Sequence, residues 1–141
     1  MKLLVAVDGS EPSLRALDKA VELSRQLAQP ATLTLTNVHN DAFVRRHQHL
    51  VGKQAVDAYL AEAHAPEIKE ATGRLDRLGL HYEVLHGSGE LAQTIAQQAE
   101  AGGFDMIVMG AKGRGALADL VLGSVVTKVL SGSKVPVLVV T

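Results

Sequence analysis

The stretch Gly110-Ala-Lys-Gly-Arg-Gly-Ala-Leu-Ala-Asp-Leu-Val-Leu-Gly-Ser124 decides the fold, because it joins a strand pattern to a helix pattern through glycines. The apolar run from Phe104 to Met109 precedes it, and Val-Val-Thr-Lys-Val-Leu at 125–130 can continue as a helix. Glycines let a backbone approach a ligand closely, and a helix N-terminus offers free N–H groups and a favourable dipole to an anion. The pattern predicts a small α/β domain that holds a nucleotide at this loop, with a plain turn as the alternative.

Composition narrows the class of protein. The chain has 141 residues, which predicts a single domain over residues 1–141. Its net charge of −1 argues against general electrostatic binding to DNA or to an anionic membrane. Two Tyr, two Phe and no Trp leave few stacking platforms for single-stranded nucleic acid. The absence of cysteine excludes disulfides, thiolate metal sites and thiol nucleophiles.

Apolar runs in the chain are short. The N-terminus has only five apolar residues between Lys2 and Asp8, too few for a signal peptide, and no run reaches the length of a membrane span. We therefore expect a cytoplasmic protein without direct membrane insertion.

Strand and helix patterns alternate along the chain. Continuous or alternating apolar runs predict five strands, and 3.6-residue periodicity predicts the helices between them. The predicted strands are 3–7, 31–38, 81–85, 104–109 and 135–140, and the predicted helices are 10–28, 53–78, the segment after Glu90, and the segment up to Leu130. Residues 39–52 are interpreted as a loop or a loosely ordered helix start.

Particular residues mark the expected helix ends. Ser10 or Asp8 is expected to cap the first helix, and a serine in the turn Gly87-Ser88-Gly-Glu90 to cap the helix after it. Pro66 is expected to kink or divide the helix at 53–78. Gly79 is expected to end that helix.

The alternation predicts a doubly wound, three-layer α/β domain with a five-stranded parallel sheet in the order 3-2-1-4-5. In such sheets the ligand lies beyond the carboxyl ends of the strands, near the switch point. Three segments are therefore expected around one crevice: 8–10, 38–39 and 109–124.

The glycine loop differs from the two common nucleotide motifs. No Gly-Lys-Ser/Thr ends it, so it is not a Walker A loop. Its first glycines, Gly110, Gly113 and Gly115, have the wrong spacing for a dinucleotide fingerprint, and the loop follows the fourth predicted strand instead of the first.

The spacing Gly110-x2-Gly113-x9-Gly123-Ser124 resembles the nucleotide loop of the universal stress protein family. The opening Val5-Ala-Val-Asp-Gly-Ser10 is similar to that family's first strand and turn, and Ser133-Lys-Val-Pro-Val-Leu-Val-Val140 to its last strand. The resemblance spans the whole chain, and the complete loop is typical of the family's ATP-binding branch.

This resemblance implies ATP as ligand, with Mg²⁺ as an accompanying ion that Asp8 would help to hold. Val38 would contact the adenine, Gly113 would let the backbone run close to the phosphates, and Ser124 would donate hydrogen bonds to them. The full set of implied nucleotide-binding residues is Asp8, Gly9, Ser10, Val38, Met109, Gly110, Gly113, Arg114, Gly123, Ser124 and Val125.

Several of these residues have simpler interpretations. Asp8 could only cap the first helix, and Met109 could be ordinary core. Lys112 and Arg114, the basic residues of the loop, could screen phosphate charge or form a solvated surface.

A second basic stretch, Arg45-Arg-His-Gln-His49, could reach the phosphates or lie on the surface. A metal site at His47 and His49 is the weaker reading, because no further ligand is fixed nearby. His39 lies at the expected mouth of the crevice, where a lone histidine is more often structural.

No catalytic set of nucleophile and base is visible at diagnostic spacing, so holding ATP in a stress-response or regulatory role is favoured over turnover. The alternatives are a slow ATPase or self-phosphorylating protein that uses a loop hydroxyl such as Ser124, and an interaction module without nucleotide. The protein that such a regulator would act on is not identified by the sequence.

The last strand, 135–140, would lie at the sheet edge and leave an apolar edge open to pairing. The resemblance implies a homodimer joined through this strand, and leaves open whether dimers pair into tetramers. Pro136 lacks a backbone donor, so pairing there is expected to be partial or confined to later residues.

Overall fold

The structure is a computed structural model that describes residues 1–113 and 121–141. Its strands are β1 (Lys2–Ala6), β2 (Thr32–His39), β3 (Tyr82–Ser88), β4 (Met106–Gly110) and β5 (Val137–Val140). Its α-helices over the described residues are α1 (Glu11–Gln26), α2 (Ala42–Arg46), α3 (Lys53–Arg77), α4 (Leu91–Ala101) and α5 (Ser124–Gly132), and a 3₁₀ turn covers Gln48–Leu50.

The five strands form one parallel sheet in the order β3-β2-β1-β4-β5, which confirms the predicted fold class and strand order. Leu3 at the start of β1 is opposite Leu33 on β2 and Met106 on β4. From β1 the chain adds β2 and β3 on one side of the sheet, and then β4 and β5 on the other side. The switch point therefore lies between β1 and β4.

Helices cover both faces of this sheet. On one face, α1 and α3 pack their apolar residues, such as Leu17 and Leu75, against Leu3 and Val5. On the other face, α4 and α5 pack Ile95 and Val129 against Leu4 and Ile107. Leu17 and Ile107 are fully buried, and each such side chain stabilises the fold by about 1.5–3 kcal/mol.

The first helix begins as predicted. The Ser10 hydroxyl accepts a hydrogen bond from the backbone N–H of Ser13, and Pro12 lies in the first turn. Of the two expected caps, Ser10 is therefore the one that caps α1.

Pro66 was expected to kink or divide the long helix, and the division is wrong, because α3 continues through Pro66 from Lys53 to Arg77. Proline removes one helical N–H, a loss that tertiary packing on both sides of it can offset. Val56 and Leu60 are buried before it, and Ala71 and Leu75 after it.

The expectation that a serine would cap the helix after β3 is wrong. Ser88 does not cap α4, because it is the last residue of β3 and its hydroxyl donates to Asp41. Glu90 is the cap, since its longer side chain reaches the backbone N–H groups of Ala92 and Gln93. In residues 39–52, interpreted as loop or loose helix, the structure contains α2 and the 3₁₀ turn.

Candidate functional site

A cavity of about 400 Å³ opens at the carboxyl ends of β1, β2 and β4. It is where a parallel sheet with this strand order is expected to bind a ligand. The predicted residues that line it are Asp8, Val38, Met109, Gly110, Gly113, Gly123, Ser124 and Val125. Among the described residues, the lining also includes Ala6, Val7, Ser13, Thr36, His39, Glu67, Leu91, Ile95, Lys112 and Val126.

Two of the predicted residues that the structure describes stand apart from this lining. Gly9 and Ser10 do not line the cavity, although they form the turn that leads from β1 into α1. Arg114 lies outside the described residues.

The turn after β1 fixes the position of Asp8. Its Oδ1 accepts a hydrogen bond of 2.9 Å from the backbone N–H of Ser10. Gly9 has a φ of +83°, a conformation that suits glycine. The carboxylate thus shapes the turn while it also lines the cavity.

Two glycines allow β4 and the loop after it to run close to other backbone. A Cβ on Gly110 would lie 2.7 Å from the backbone carbonyl of Pro12, so any side chain there would collide with α1. At the far end of the loop, the N–H of Gly123 donates to the carbonyl of Ala111 at 2.7 Å. This hydrogen bond brings the start of α5 directly beside the end of β4.

The N-terminus of α5 faces the same cavity. Gly123 is its N-cap and forms no side-chain capping bond, while Ser124 is the first helical residue. Ser124, although its residue type suits an N-cap, therefore does not cap this helix. Gly123, Ser124, Val125 and Val126 all line the cavity. Helix N-terminal N–H groups without a side-chain cap, together with the positive end of the dipole, favour a bound anion.

The inner wall of the cavity is apolar. Val38 and Met109 are buried, with 8% and 6% of their surface exposed, and they belong to the same core cluster as Ile95. Met109 is therefore a core residue that also lines the cavity, and its contact with a nucleotide stays a prediction. An apolar inner wall with polar groups at one side is typical of small-molecule sites.

One ionisable lining residue, Glu67, was not assigned to the site from the sequence, whereas His39 was expected at the mouth of the crevice. Glu67 on α3 is 9% exposed, and one oxygen of its carboxylate is in direct contact with Nε2 of His39 at the end of β2. The ring of His64, one turn earlier on α3, stacks on the His39 ring with centroids 3.4 Å apart. The i, i+3 spacing of His64 and Glu67 was the available signal, since it places both on one face of a helix.

Burial lowers the pKa of His64 below its usual 6.5, and the neighbouring His39 lowers it further. The carboxylates of Glu67 and Asp41 oppose this shift. His64 is therefore held in an environment that favours the neutral imidazole.

The basic stretch 45–49 is engaged away from the cavity lining. Arg45 contacts the carboxylate of Asp57, which raises its pKa, and its Nε lies 3.6 Å from Asp41. Nδ1 of His47 is 2.8 Å from the carbonyl oxygen of Phe43. None of residues 45–49 is among the described residues that line the cavity.

Over residues 1–113 and 121–141, no helix is both long enough and apolar enough to cross a membrane.

Comparisons with known proteins agree in both sequence and fold. The model of the Universal stress protein family matches residues 1–141. The Universal stress protein YxiE of Bacillus subtilis is 34% identical over 147 residues, covering 99% of this chain and 97% of that protein. The solved structure of hypothetical protein MJ0577 superposes with a TM-score of 0.78 at 25% identity, covering 99% of this chain and 94% of that one. A universal stress protein in complex with cAMP has the same fold, with a TM-score of 0.74 at 24% identity and coverage of 100% and 97%. Because the family model covers the full chain, this protein belongs to the universal stress protein family.

Proposed function

We propose that this chain binds an adenine nucleotide, ATP with Mg²⁺, in the cavity at the ends of β1 and β4, and that binding serves a regulatory role in a stress response. The observation that carries the proposal is the meeting of three distant segments at one cavity. Asp8 comes from the turn after β1, Val38 from β2, and the glycines from both ends of the loop after β4. A volume of about 400 Å³ is within the range of small-molecule and cofactor sites.

The lining is divided in a way that suits a nucleotide. Val38, Met109 and Ile95 offer an apolar surface to a base. The start of α5 offers backbone N–H groups to phosphates, and Lys112 adds a cationic side chain. Asp8 supplies an oxygen ligand suited to a nucleotide-bound Mg²⁺. That a universal stress protein of the same fold binds cAMP supports an adenine nucleotide as the ligand class.

Isothermal titration calorimetry with ATP tests the proposal. Gly113→Val adds a branched side chain where a Cβ would already lie 3.0 Å from Oδ2 of Asp8, so it should abolish binding. Gly132→Val is the matched control, because a Cβ at that position would meet no described atom within 4 Å apart from its chain neighbours and the backbone of its own helix. Circular dichroism should show both variants folded. Unchanged ATP affinity in Gly113→Val would contradict the assignment of this site.

A slow ATPase is the second candidate, and Glu67 is the observation that favours it. The cavity contains this carboxylate in addition to Asp8, a group that could orient an attacking water. Labelled ATP with Mg²⁺ distinguishes the two functions. Multiple turnovers that are lost in Glu67→Gln would support the ATPase, whereas tight binding without turnover supports the regulatory role.

The proposal includes a homodimer joined through β5. This strand is at the edge of the sheet, and its four residues are only half-buried. The carbonyl of Pro136 accepts from Ile107 and that of Val140 from Ala111, so these residues face β4. Successive residues of a strand point their backbone N–H and C=O groups to opposite edges. The backbone groups of Val137 and Val139 therefore point away from β4, toward the open edge. The missing donor of Pro136 therefore lies on the β4 side and does not interrupt the outer edge.

A further inference from the structure

Three potential metal ligands converge beside the nucleotide cavity. His39 is the last residue of β2, while His64 and Glu67 lie one turn apart on α3. One ligand atom from each residue lies within 4.8 Å of the other two. We refer to these three residues as the His-His-Glu cluster.

We propose that the His-His-Glu cluster binds a divalent cation of the Zn²⁺ class. Two imidazole nitrogens and one carboxylate form a donor set that suits Zn²⁺, and three protein ligands with one open position are typical of its non-structural sites. Mg²⁺ and Ca²⁺ prefer oxygen ligands, so the two imidazoles select against them.

Burial and charge support a cation at this position. The side chains of His39 and His64 are each 24% exposed, and that of Glu67 is 11% exposed. The Asp41 carboxylate, 8% exposed, also acts electrostatically on His64, and Arg45 is its cationic neighbour at 3.6 Å. Among the described residues, Oδ1 of Asp41 and Nε2 of His64 are buried without a hydrogen-bond partner. A cation would stabilise this concentration of buried acceptors, because buried charged groups are costly unless they are paired or coordinate a metal.

A neighbouring amide holds His39 in place. The Nδ2 group of Asn37 donates to the carbonyl of Val7 at 2.9 Å, which turns Oδ1 toward His39. Nε2 of His39 lies 3.1 Å from that oxygen and also contacts Glu67. A proton on Nε2 would satisfy both oxygens in the metal-free protein. If Nε2 is the atom that binds the cation, that proton must move to Nδ1 or be released, because histidine binds a metal through an unprotonated nitrogen.

Metal binding requires one local rearrangement. The two imidazole rings are nearly parallel, with an angle of 6° between their planes. The lone pair of an imidazole nitrogen lies in the ring plane, so two stacked rings must open before both point at one ion. The proposed site therefore requires a change of side-chain torsion at His39 or His64.

The open position would face the nucleotide cavity, because His39 and Glu67 line that cavity. A water molecule or a donor atom of a bound nucleotide could then complete the coordination. If the proposed nucleotide function is correct, Zn²⁺ and nucleotide must alter each other's affinity by the same factor. This coupling rests on the proposed function, whereas the cation site itself does not.

Titration of the full-length, EDTA-treated protein with Co²⁺ and Zn²⁺, without nucleotide, tests the site. We expect one equivalent of Co²⁺ with a visible absorption spectrum of low coordination number, displaced by Zn²⁺. Loss of a second-sphere partner lowers metal affinity about 10–100-fold, so loss of a ligand in His64→Ala or Glu67→Gln should lower it at least tenfold. Long-range ¹H–¹⁵N spectra should show changes at His39 and His64 on binding.

Control variants separate this site from adventitious binding. His81→Gln removes an exposed histidine that precedes β3, and it should leave the affinity unchanged. The double variant His47→Gln/His49→Gln removes the surface histidine pair and should also bind normally. Failure to bind one equivalent, or retained affinity in folded His64→Ala and Glu67→Gln, would overturn the proposal. Loss of binding in the His47/His49 variant alone would also overturn it, because it would assign the ion to the surface pair.

A final titration separates the cation site from the nucleotide function. Zn²⁺ binding that persists in Gly113→Val, a variant expected to lose ATP, would support an independent metal site. If wild-type protein binds Zn²⁺ through the cluster but does not bind ATP, the proposed function fails and the cation site stands.

Discussion

Gly113 passes so close to Asp8 that a Cβ built on it would lie 3.0 Å from Oδ2 of the carboxylate. The first residues of the glycine loop therefore lie directly against the turn that follows β1. A group on either residue changes the space available to the other.

We expect Gly113→Ala to weaken ATP binding about tenfold without unfolding the protein. A single methyl group crowds the Asp8 carboxylate, and overpacking of this kind costs about 1–3 kcal/mol. A loss of about 1.4 kcal/mol in binding energy corresponds to tenfold in affinity. Calorimetry on Gly113→Ala and Gly132→Ala measures the difference, and equal affinities would contradict the close approach at Asp8.

Gly110→Ala should instead destabilise the fold. Its Cβ would lie 2.7 Å from the backbone of Pro12, which cannot move without displacing the start of α1. We expect a loss of about 1–3 kcal/mol in the free energy of unfolding, measured by urea denaturation. Gly132→Ala, with no atom near its Cβ, should lose much less. Similar losses in the free energy of unfolding of the two variants would show that the backbone at Pro12 moves to accommodate the added methyl group.

The stability of α4 should depend on pH through Glu90. The backbone N–H of Gln93, and less strongly that of Ala92, lower the pKa of this carboxyl below 4.5. Its contribution is therefore present above pH 4.5 and is lost as the pH falls through the lower, folded-state pKa. We expect Glu90→Gln to be less stable than wild type at neutral pH, with the difference vanishing in acid. Ser88→Ala should leave this pH dependence intact, and urea denaturation across the pH range checks both.

The outer edge of β5 predicts how the homodimer can be broken. Val139→Pro removes an outward N–H, whereas Val139→Ala truncates the side chain and keeps that donor. Light scattering after size exclusion should find Val139→Ala dimeric and Val139→Pro monomeric. If both variants form the same oligomer as wild type, pairing does not use this donor.

Periodic and local signals in the sequence were sufficient for the sheet. The apolar runs and the alternation of strands with helices predicted the order β3-β2-β1-β4-β5, and the topology rule placed the crevice at the ends of β1 and β4. Eight predicted nucleotide-binding residues line one cavity because each lies at a strand end or loop junction.

The features that the sequence did not reveal depend on the length of side chains and on packing between residues that are far apart in the sequence. Glu67 lies on the cavity only because α3 continues through Pro66 and turns that face toward the end of β2. Propensity alone predicted a kink or a break at Pro66. The sequence therefore did not indicate that His64 and Glu67 lie beside His39. Glu90 replaces Ser88 as a cap through the length of its side chain, which no residue pattern encodes.

The hydrogen bond from Gly123 to Ala111 has a consequence for the evolution and engineering of this chain. It joins Ala111 and Gly123, so the entry to α5 is tied directly to the end of β4. The closure entropy of a flexible loop rises only by about 0.6 kcal/mol for each doubling of its length. Because the spacing from Gly113 to Gly123 belongs to the proposed nucleotide loop, an insertion between these residues should weaken ATP binding more than it destabilises the fold.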